Sequence, residues 1–558
     1  MFAKIRFTLI ETRFFCKRRC FCFARSDKNL VSYTRFVLTA LLTVAVLLAG
    51  CAPRAAPTEE PTEFLLEEYE WAPAPTASAS ADGPYPSTGG LVPPNDEPYA
   101  DMFFEDYGVN PFIDTEDDHL STFAVDVDTG SYTLMRRYVN DGHLPPDESV
   151  RVEEYVNYFE QGYEPPLDIE REGAFAIHLE GAPSLYGNER HYLVRVGLKG
   201  YEIPPEERKD AVLTFVIDVS GSMDMENRLG LVKQALRLLV EGLRPSDKIG
   251  IAVYGSRGYA ILEHTPVAEA DYILRAIDRL QPEGSTNAEE GLLIGYRMAA
   301  QAFDPEAINR VILCSDGVAN VGNTGPDSIL EQIRDYAGRG IYLTTVGFGM
   351  GNYNDVLMEQ LANDGDGFYA YVDTLKEAER VFVRDLTSML QVIARDAKIQ
   401  VDFDPNVVRS YRLIGYENRD VTDEDFRDDE VDAGEIGVGH SVTALYEIKF
   451  HLAEPSGYEP AMTVYVRYED PETGEVIETN RAIARADFAP AFKDASIRFQ
   501  LAAVVAEYAE VLRESYWARG SSLADVAWEA RRIAEYLPHD ADVAEFVSLV
   551  ERASDLYE

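Results

Sequence analysis

At 558 residues the chain has room for roughly three or four domains. Its 46% apolar and 27% charged residues belong to a protein that builds packed cores, which excludes a disordered or collagen-like chain. The net charge of −46 is unevenly spread: the first fifty residues set nine Lys or Arg against Glu11 and Asp27, so the rest is more acidic still. Such a surface repels phosphate polymers and offers no basic stripe to hold them, which excludes nucleic acid as a partner.

Residues 1–50 read as a targeting signal. Arg35 precedes an apolar run from Phe36 to Gly50, short of the ~20 residues that span a bilayer but right for a secretory signal. The run closes in Leu48-Ala49-Gly50-Cys51. This resembles the bacterial lipobox, in which small residues admit the signal peptidase and the following thiol is acylated and becomes the new N-terminus. The resemblance implies a lipid anchor at Cys51, attachment to a membrane, and a place in the bacterial cell envelope outside the cytoplasm. Residues 1–30, which hold Cys16, Cys20 and Cys22, fit the basic end of a signal poorly, so a start near Leu30 or Val31 is expected. Beyond these and Cys51 only Cys314 remains, and no disulfide is expected in the mature chain.

From Cys51 to Asp118 the chain is Pro, Ser, Thr, Ala and acid, with Arg54 its one basic residue. That composition buries too little to offset its ordering entropy and predicts an extended acidic tether over 51–118. Residues 119–165 predict a helical module. One helix carries Tyr132, Met135, Tyr138 and Val139 on a face, and a second carries Val152, Tyr155, Val156 and Phe159. Asp126 to Ser131 has the start of a calcium loop without its closing Glu, so Asp128 or Thr129 is expected to cap the first helix. Residues 166–209 contain two strands, Phe175–Leu179 and His191–Leu198. Two strands are too few to bury a sheet face, so they are expected to join strands from later in the chain in one sandwich.

Over 210–395 strands alternate with helices. LTFVIDVS, KIGIAVYG, RVILCSDG, IYLTTVGFG and FYAYVD are apolar enough to be covered on both faces. Between them the 3.6-residue period predicts helices at Leu229–Leu243, Ala270–Leu280, Ala288–Ala302, Asp327–Ala337, Asn354–Leu361 and Leu375–Ile393. The alternation predicts an α/β, doubly wound, Rossmann-like sheet. Over 396–490 the period returns to two, as in a β-sandwich, with an acidic loop at Asp420–Asp432. Residues 491–558 read as three helices with core-facing stripes.

One group of residues carries chemistry. Asp218, Ser220 and Ser222 leave the first α/β strand at two-residue intervals, Thr286 lies just before a helix, and Asp316 follows the strand Arg310–Cys314. All five fall at the C-terminal edge of the sheet, where open α/β sheets bind ligands. Five oxygen donors from three loops suit a hard cation. Asp218, Ser220, Ser222, Thr286 and Asp316 together resemble the metal-ion-dependent adhesion site (MIDAS) of the von Willebrand factor A domain family. With the signal, the helical module, and the β-plus-helix tail, the whole arrangement is similar to YfbK-like bacterial lipoproteins. The resemblance implies one Mg²⁺ or Mn²⁺ at these residues and a partner protein whose Asp or Glu completes the ion's shell.

Catalysis is not expected. A strand-Asp phosphatase needs a second Asp where Ser220 stands, a hydrolase elbow needs G-x-S-x-G and a His, and Cys314 lies inside a strand. The function expected is metal-dependent binding of a protein at the cell envelope. The alternative is an envelope structural or assembly factor in which the metal only pins the loops.

Overall fold

The computed structural model describes residues 104–557 except 170–172, 188–189, 205, 318–325, 350–352, 430, 432 and 452–458. The signal segment, Cys51 and the tether as far as residue 103 lie outside the described residues.

The tether expected to reach Asp118 ends earlier than that. β1 (Ile113–Asp114) pairs antiparallel with Tyr411 and Ser410, the Phe112 ring meets Trp517 edge-on at 5.0 Å, and Thr115 Oγ1 donates to the Val408 carbonyl. Backbone pairing and two apolar anchors among the acids offset the ordering cost that composition alone predicted. β2 (Leu120–Ala124) leads into α1 (Gly130–Asn140) and α2 (Val152–Asn157). The expected local cap on α1 is absent: Thr129 stands at the N-cap position without a side-chain cap bond, and Asp128 Oδ1 accepts the Tyr369 N–H. Glu154 of α2 takes its place, its Oε2 accepting the Ser131 N–H at 2.7 Å. A carboxylate from a neighbouring helix satisfies the helix start as well as a local one would. β3 (Phe175–Pro183) and β4 (His191–Gly200) pair antiparallel along their whole length.

The α/β domain runs β5 (Ala211–Asp218), α3 (Arg228–Gly242), β6 (Lys248–Tyr254), β7 (Gly258–Pro266), α4 (Ala270–Asp278), α5 (Ala288–Ala302), β8 (Ile308–Ser315), α6 (Pro326–Ala337), β9 (Ile341–Phe348), α7 (Asp355–Asn363) and β10 (Tyr369–Val372). Its sheet order is β10-β9-β8-β5-β6-β7, parallel apart from β7. β5 and β8 are buried at every residue because helices cover both faces. Sequence periodicity missed β7, which lies on the sheet edge with only Leu262 deeply buried. Leu375–Ile393 is not one helix. It breaks into α8 (Leu375–Glu379), a π-helical turn at Arg380–Arg384 closed by the Asp385 N–H on the Arg380 carbonyl, and α9 (Leu386–Leu390). The Arg380 guanidinium sits 3.9 Å over the Tyr158 ring, a tertiary contact no local pattern announces.

A strand begins at once, four residues before the expected boundary at 396. β11 (Val392–Phe403) is followed by β12 (Val408–Ile414), β13 (Gly434–Gly437), β14 (Ser441–Phe450), β15 (Pro460–Glu469) and β16 (Val476–Ala484). One sheet has the order β1-β12-β14-β4-β3, the other β13-β11-β15-β16 with β2 also on β11. Both sheets thus mix strands from before and after the α/β domain, which is an insertion in the sandwich. Val194, Val196, Ile399, Val401, Tyr446 and Val464 fill the space between the sheets. The C-terminal α10 (Ile497–Leu512), α11 (Leu523–Ala534) and α12 (Ala541–Tyr557) share a separate core with α1 and α2, where Tyr155 meets Tyr508 and Phe159 meets Phe546.

Candidate functional site

β5 and β8 are adjacent parallel strands in register Ile217↔Cys314. Their next residues, Asp218 and Ser315, therefore emerge side by side, with Asp316 one step further. The C-terminal ends of adjacent parallel strands open together onto one edge of the sheet, so Asp218 and Asp316 arrive there side by side.

The turn after Asp218 is built from its own hydrogen bonds. The Ser220 N–H donates to Asp218 Oδ1 at 2.7 Å, and Ser315 Oγ donates to Oδ2 at 3.1 Å. The Ser220 and Ser222 hydroxyls are 3.0 Å apart, and Ser222 Oγ donates to Asp316 Oδ1 at 3.1 Å. Asp316 Oδ2 accepts from Arg228 Nη1 at 2.6 Å. Four of the five expected residues are thus joined in one chain of contacts. Thr286 sits on the loop before α5, fastened to the same turn by the backbone: the Gly221 N–H donates to the Gly284 carbonyl and the Glu283 N–H to the Val219 carbonyl. Gly284 has φ +74°, and a Cβ there would collide with Ser256 Oγ, so this loop needs glycine to lie so close. Among the described residues the Thr286 hydroxyl forms no hydrogen bond to the other four.

Both acids are buried, Asp218 completely and Asp316 to 3% exposure. Burial, reinforced by the neighbouring Asp316 charge, pushes the Asp218 carboxyl up to about 7. Burial also raises Asp316, while Arg228 pulls it back down. One guanidinium therefore stands against two carboxylates, and the pair is short of positive charge. Two carboxylates and neighbouring hydroxyls, with no soft ligand, fit a small hard divalent ion. Among the described residues no group of three or more His, Cys, Asp or Glu side chains is arranged to hold a metal. A site at this edge must therefore draw on the hydroxyls.

Three contributors escaped the sequence. Arg228 opens α3 and looked like an ordinary first-turn residue; Ser315 looked like the end of a strand. The Tyr254 phenol, buried at the end of β6, feels the charge of Asp218. Only strand register could have found the last two. Cys314, one residue before Ser315, is wholly buried, and burial raises its thiol well above the ordinary range.

Comparison with known proteins assigns the regions. The family model for the YfbK C-terminal region matches residues 388–556, that for the von Willebrand factor type A domain matches 213–384, and a further von Willebrand factor model matches 98–195. The uncharacterized protein YfbK of Escherichia coli K12 is 34% identical over 470 residues, covering 81% of this chain and 80% of its own. The uncharacterized protein sll0103 of Synechocystis is 26% identical over 301 residues, covering 53% of this chain and 69% of its own. Among solved structures, a von Willebrand factor type A protein from Catenulispora acidiphila aligns at TM-score 0.40 and 15% identity, over 69% of this chain and 90% of that one.

Proposed function

The chain belongs to the YfbK family, with a von Willebrand factor type A domain, and on that premise we propose that it captures a protein partner at the bacterial cell envelope through a divalent cation held at the edge of its α/β sheet. Von Willebrand factor type A domains generally mediate protein–protein interaction and commonly bind such a cation. The observation that carries the reading is the linked set Asp218, Ser220, Ser222 and Asp316 at the mouth of the β5–β8 strand pair.

Each residue has a part. Asp218 and Asp316 supply the two negative charges, Ser220 and Ser222 supply neutral oxygens, and Thr286 is carried to the same turn by its loop. Arg228 holds one oxygen of Asp316 and fixes its orientation. With Mg²⁺ or Mn²⁺ bound, incompletely neutralised by two carboxylates, the ion would be a Lewis acid with a place for a partner's Asp or Glu. The serine hydroxyls partner each other and Asp316 rather than a histidine, so the arrangement supports binding and not nucleophilic catalysis. Acylation of Cys51 would hold the domain at the membrane.

The full chain in native membranes tests the reading. Partner capture is expected in Mg²⁺, to vanish in EDTA, and to be absent in Asp316→Ala while the fold survives. Capture by an Asp316→Ala protein that binds no metal would instead favour a structural or assembly role. Cys51→Ser is expected to release the chain from the membrane fraction, and normal retention would overturn the anchor.

A further inference from the structure

The face of the β1-β12-β14-β4-β3 sheet that turns away from the sandwich core is crossed by α10. Between them opens a cleft of about 470 Å³, walled by β4, β12, β14, α10 and the turn at 516–520. A second cavity of about 280 Å³ adjoins it, sharing Leu185, Tyr186 and Gly520. This seam lies in the sandwich and C-terminal helices, on other elements than the α/β edge.

Its positive groups have contacts of their own, although the Arg412 Nε is buried without a partner among the described residues. Arg412 reaches Glu447 at 3.4 Å and Glu510 at 3.3 Å. His191 Nδ1 lies 2.5 Å from Glu447, Lys449 is 3.3 Å from the centre of the Phe112 ring, and Arg519 stands over Tyr516.

The negative side is different. Glu510 is clamped by Arg412 and Arg513, which hold its carboxyl below the ordinary range although burial pushes the other way. Glu507, one position short of a helical turn away on the same helix, has no ion-pair partner among the described residues. Its Oε1 is buried without a hydrogen bond, and burial pushes its carboxyl up to about 7, against a hydrogen bond from Ser521. The Tyr186 hydroxyl, in the wall shared by both cavities, is likewise buried without a partner among the described residues. Buried polar groups are nearly always satisfied, so two unsatisfied oxygens lining one cleft point to something that satisfies them. The remaining walls are aromatic, with Trp517 in the first cavity and Trp528, 55% exposed, in the second.

We propose that this seam is a second binding site, for a primary ammonium on a short aliphatic stem, with Glu507 and Tyr186 accepting its N–H groups and Trp517 and Trp528 walling the stem. An ammonium has three donors and no acceptor, which matches two lone oxygens. Arg412 already stands over the Trp517 ring and Lys493 over the Trp528 ring, so the indoles serve the ligand as apolar walls for its stem. The chain's charge of −46 draws such a ligand in. The ammonium can come from a free diamine or from a lysine of a polypeptide.

Trp517 and Trp528 are two of the chain's three tryptophans, so intrinsic fluorescence of the full chain reads the site directly. Cadaverine and a capped Gly-Lys-Gly tripeptide are titrated, with the N-acetyl-lysine tripeptide as a neutral control. A saturable change is expected with at least one amine, at least tenfold weaker for the acetylated control and at least tenfold weaker in Glu507→Gln. Asp316→Ala is expected to bind the amine as the wild type does, separating this site from the α/β edge. Cadaverine as the tighter ligand marks a small diamine as the source, and the tripeptide as the tighter marks a polypeptide lysine. No saturable change with either, equal binding of the acetylated peptide, or indifference to Glu507→Gln in a chain with unaltered near-UV circular dichroism would overturn the proposal. Tyr186→Phe, which keeps the ring, guards against a Glu507 variant that fails to fold and is expected to weaken binding severalfold.

Discussion

The α/β edge and the junction of the helical module with α7 are both buried, acidic and short of positive charge, yet they are built for different ends. At the junction Arg151 and Arg419 gather five carboxylates, Asp126, Asp128, Glu154, Asp355 and Glu359, from the helical module and from α7 of the inserted domain. By charge alone this cluster has the greater appetite for a cation. Its oxygens, however, are already spoken for: Asp128 takes the Tyr369 N–H, Glu154 the Ser131 N–H, Asp355 the Tyr369 hydroxyl and Glu359 the Asn418 amide. At the edge, the two acids meet serine hydroxyls that can turn, and one arginine. Donors that can turn aside, rather than excess negative charge, separate the edge from the structural clamp.

The largest effect that would break this contrast lies in the clamp. Arg419 pairs with Asp126 at 3.1 Å and Glu359 at 2.9 Å, and Arg419→Met takes the arginine from buried Asp126 and leaves Glu359 only Arg151 at 3.7 Å. Losing one partner of a buried ion pair costs about 3–5 kcal/mol, so urea unfolding should show a loss of that order. A loss below about 1 kcal/mol would mean the junction is no clamp.

The edge should respond to metal instead. Mg²⁺ at about 100 times its Kd is expected to stabilise the wild type by ~2.7 kcal/mol, to do the same for Arg419→Met, and to leave Asp316→Ala unmoved. Thermal unfolding with and without Mg²⁺ reads all three. Equal stabilisation of Asp316→Ala would place the ion elsewhere.

A slightly smaller effect comes from protons. The folded Asp218 carboxyl, at about 7, lies far above its ordinary 3.8, so between those values the folded chain holds a proton that the unfolded chain has shed. Its contribution to stability is complete below about pH 4 and is lost as pH rises through 7. In EDTA the wild type should therefore lose about 2 kcal/mol more than Asp218→Asn between pH 5 and 8. Parallel stability curves for the two would show that Asp218 titrates normally.

Much of this could be read from the chain because the signals were local. The strand-helix alternation of 210–395, the period-two strands after it and the two-residue spacing of Asp218, Ser220 and Ser222 are patterns within a few residues. What escaped was set at a distance. The capping of α1 by Glu154, the stacking of Arg380 on Tyr158 that accompanies a broken helix, and the anchoring of Phe112 on Trp517 each join residues far apart in sequence. Arg228 and Ser315 belong to the same class: both are ordinary in their own elements, and only the register of β5 on β8 brings Ser315 to Asp218, as only the packing of α3 brings Arg228 to Asp316.

The smallest effect sharpens the edge itself. Ser222 Oγ bridges Ser220 to Asp316, and its residue is part of the short 3₁₀ turn Gly221–Asn227 rather than of the sheet core. Ser222→Ala removes one neutral donor and one hydrogen bond, about 1 kcal/mol of stability at most. Asp316→Ala removes one of two charged donors, so calorimetric titration should find Mg²⁺ weakened more by Asp316→Ala than by Ser222→Ala. Mn²⁺ should follow the same order, since it takes the same oxygen ligands. If Ser222→Ala weakened Mg²⁺ as much as Asp316→Ala, the serine would hold Asp316 in place rather than lend the ion an oxygen. Ser222→Thr, which keeps the hydroxyl, should restore binding if the oxygen itself is what the ion uses.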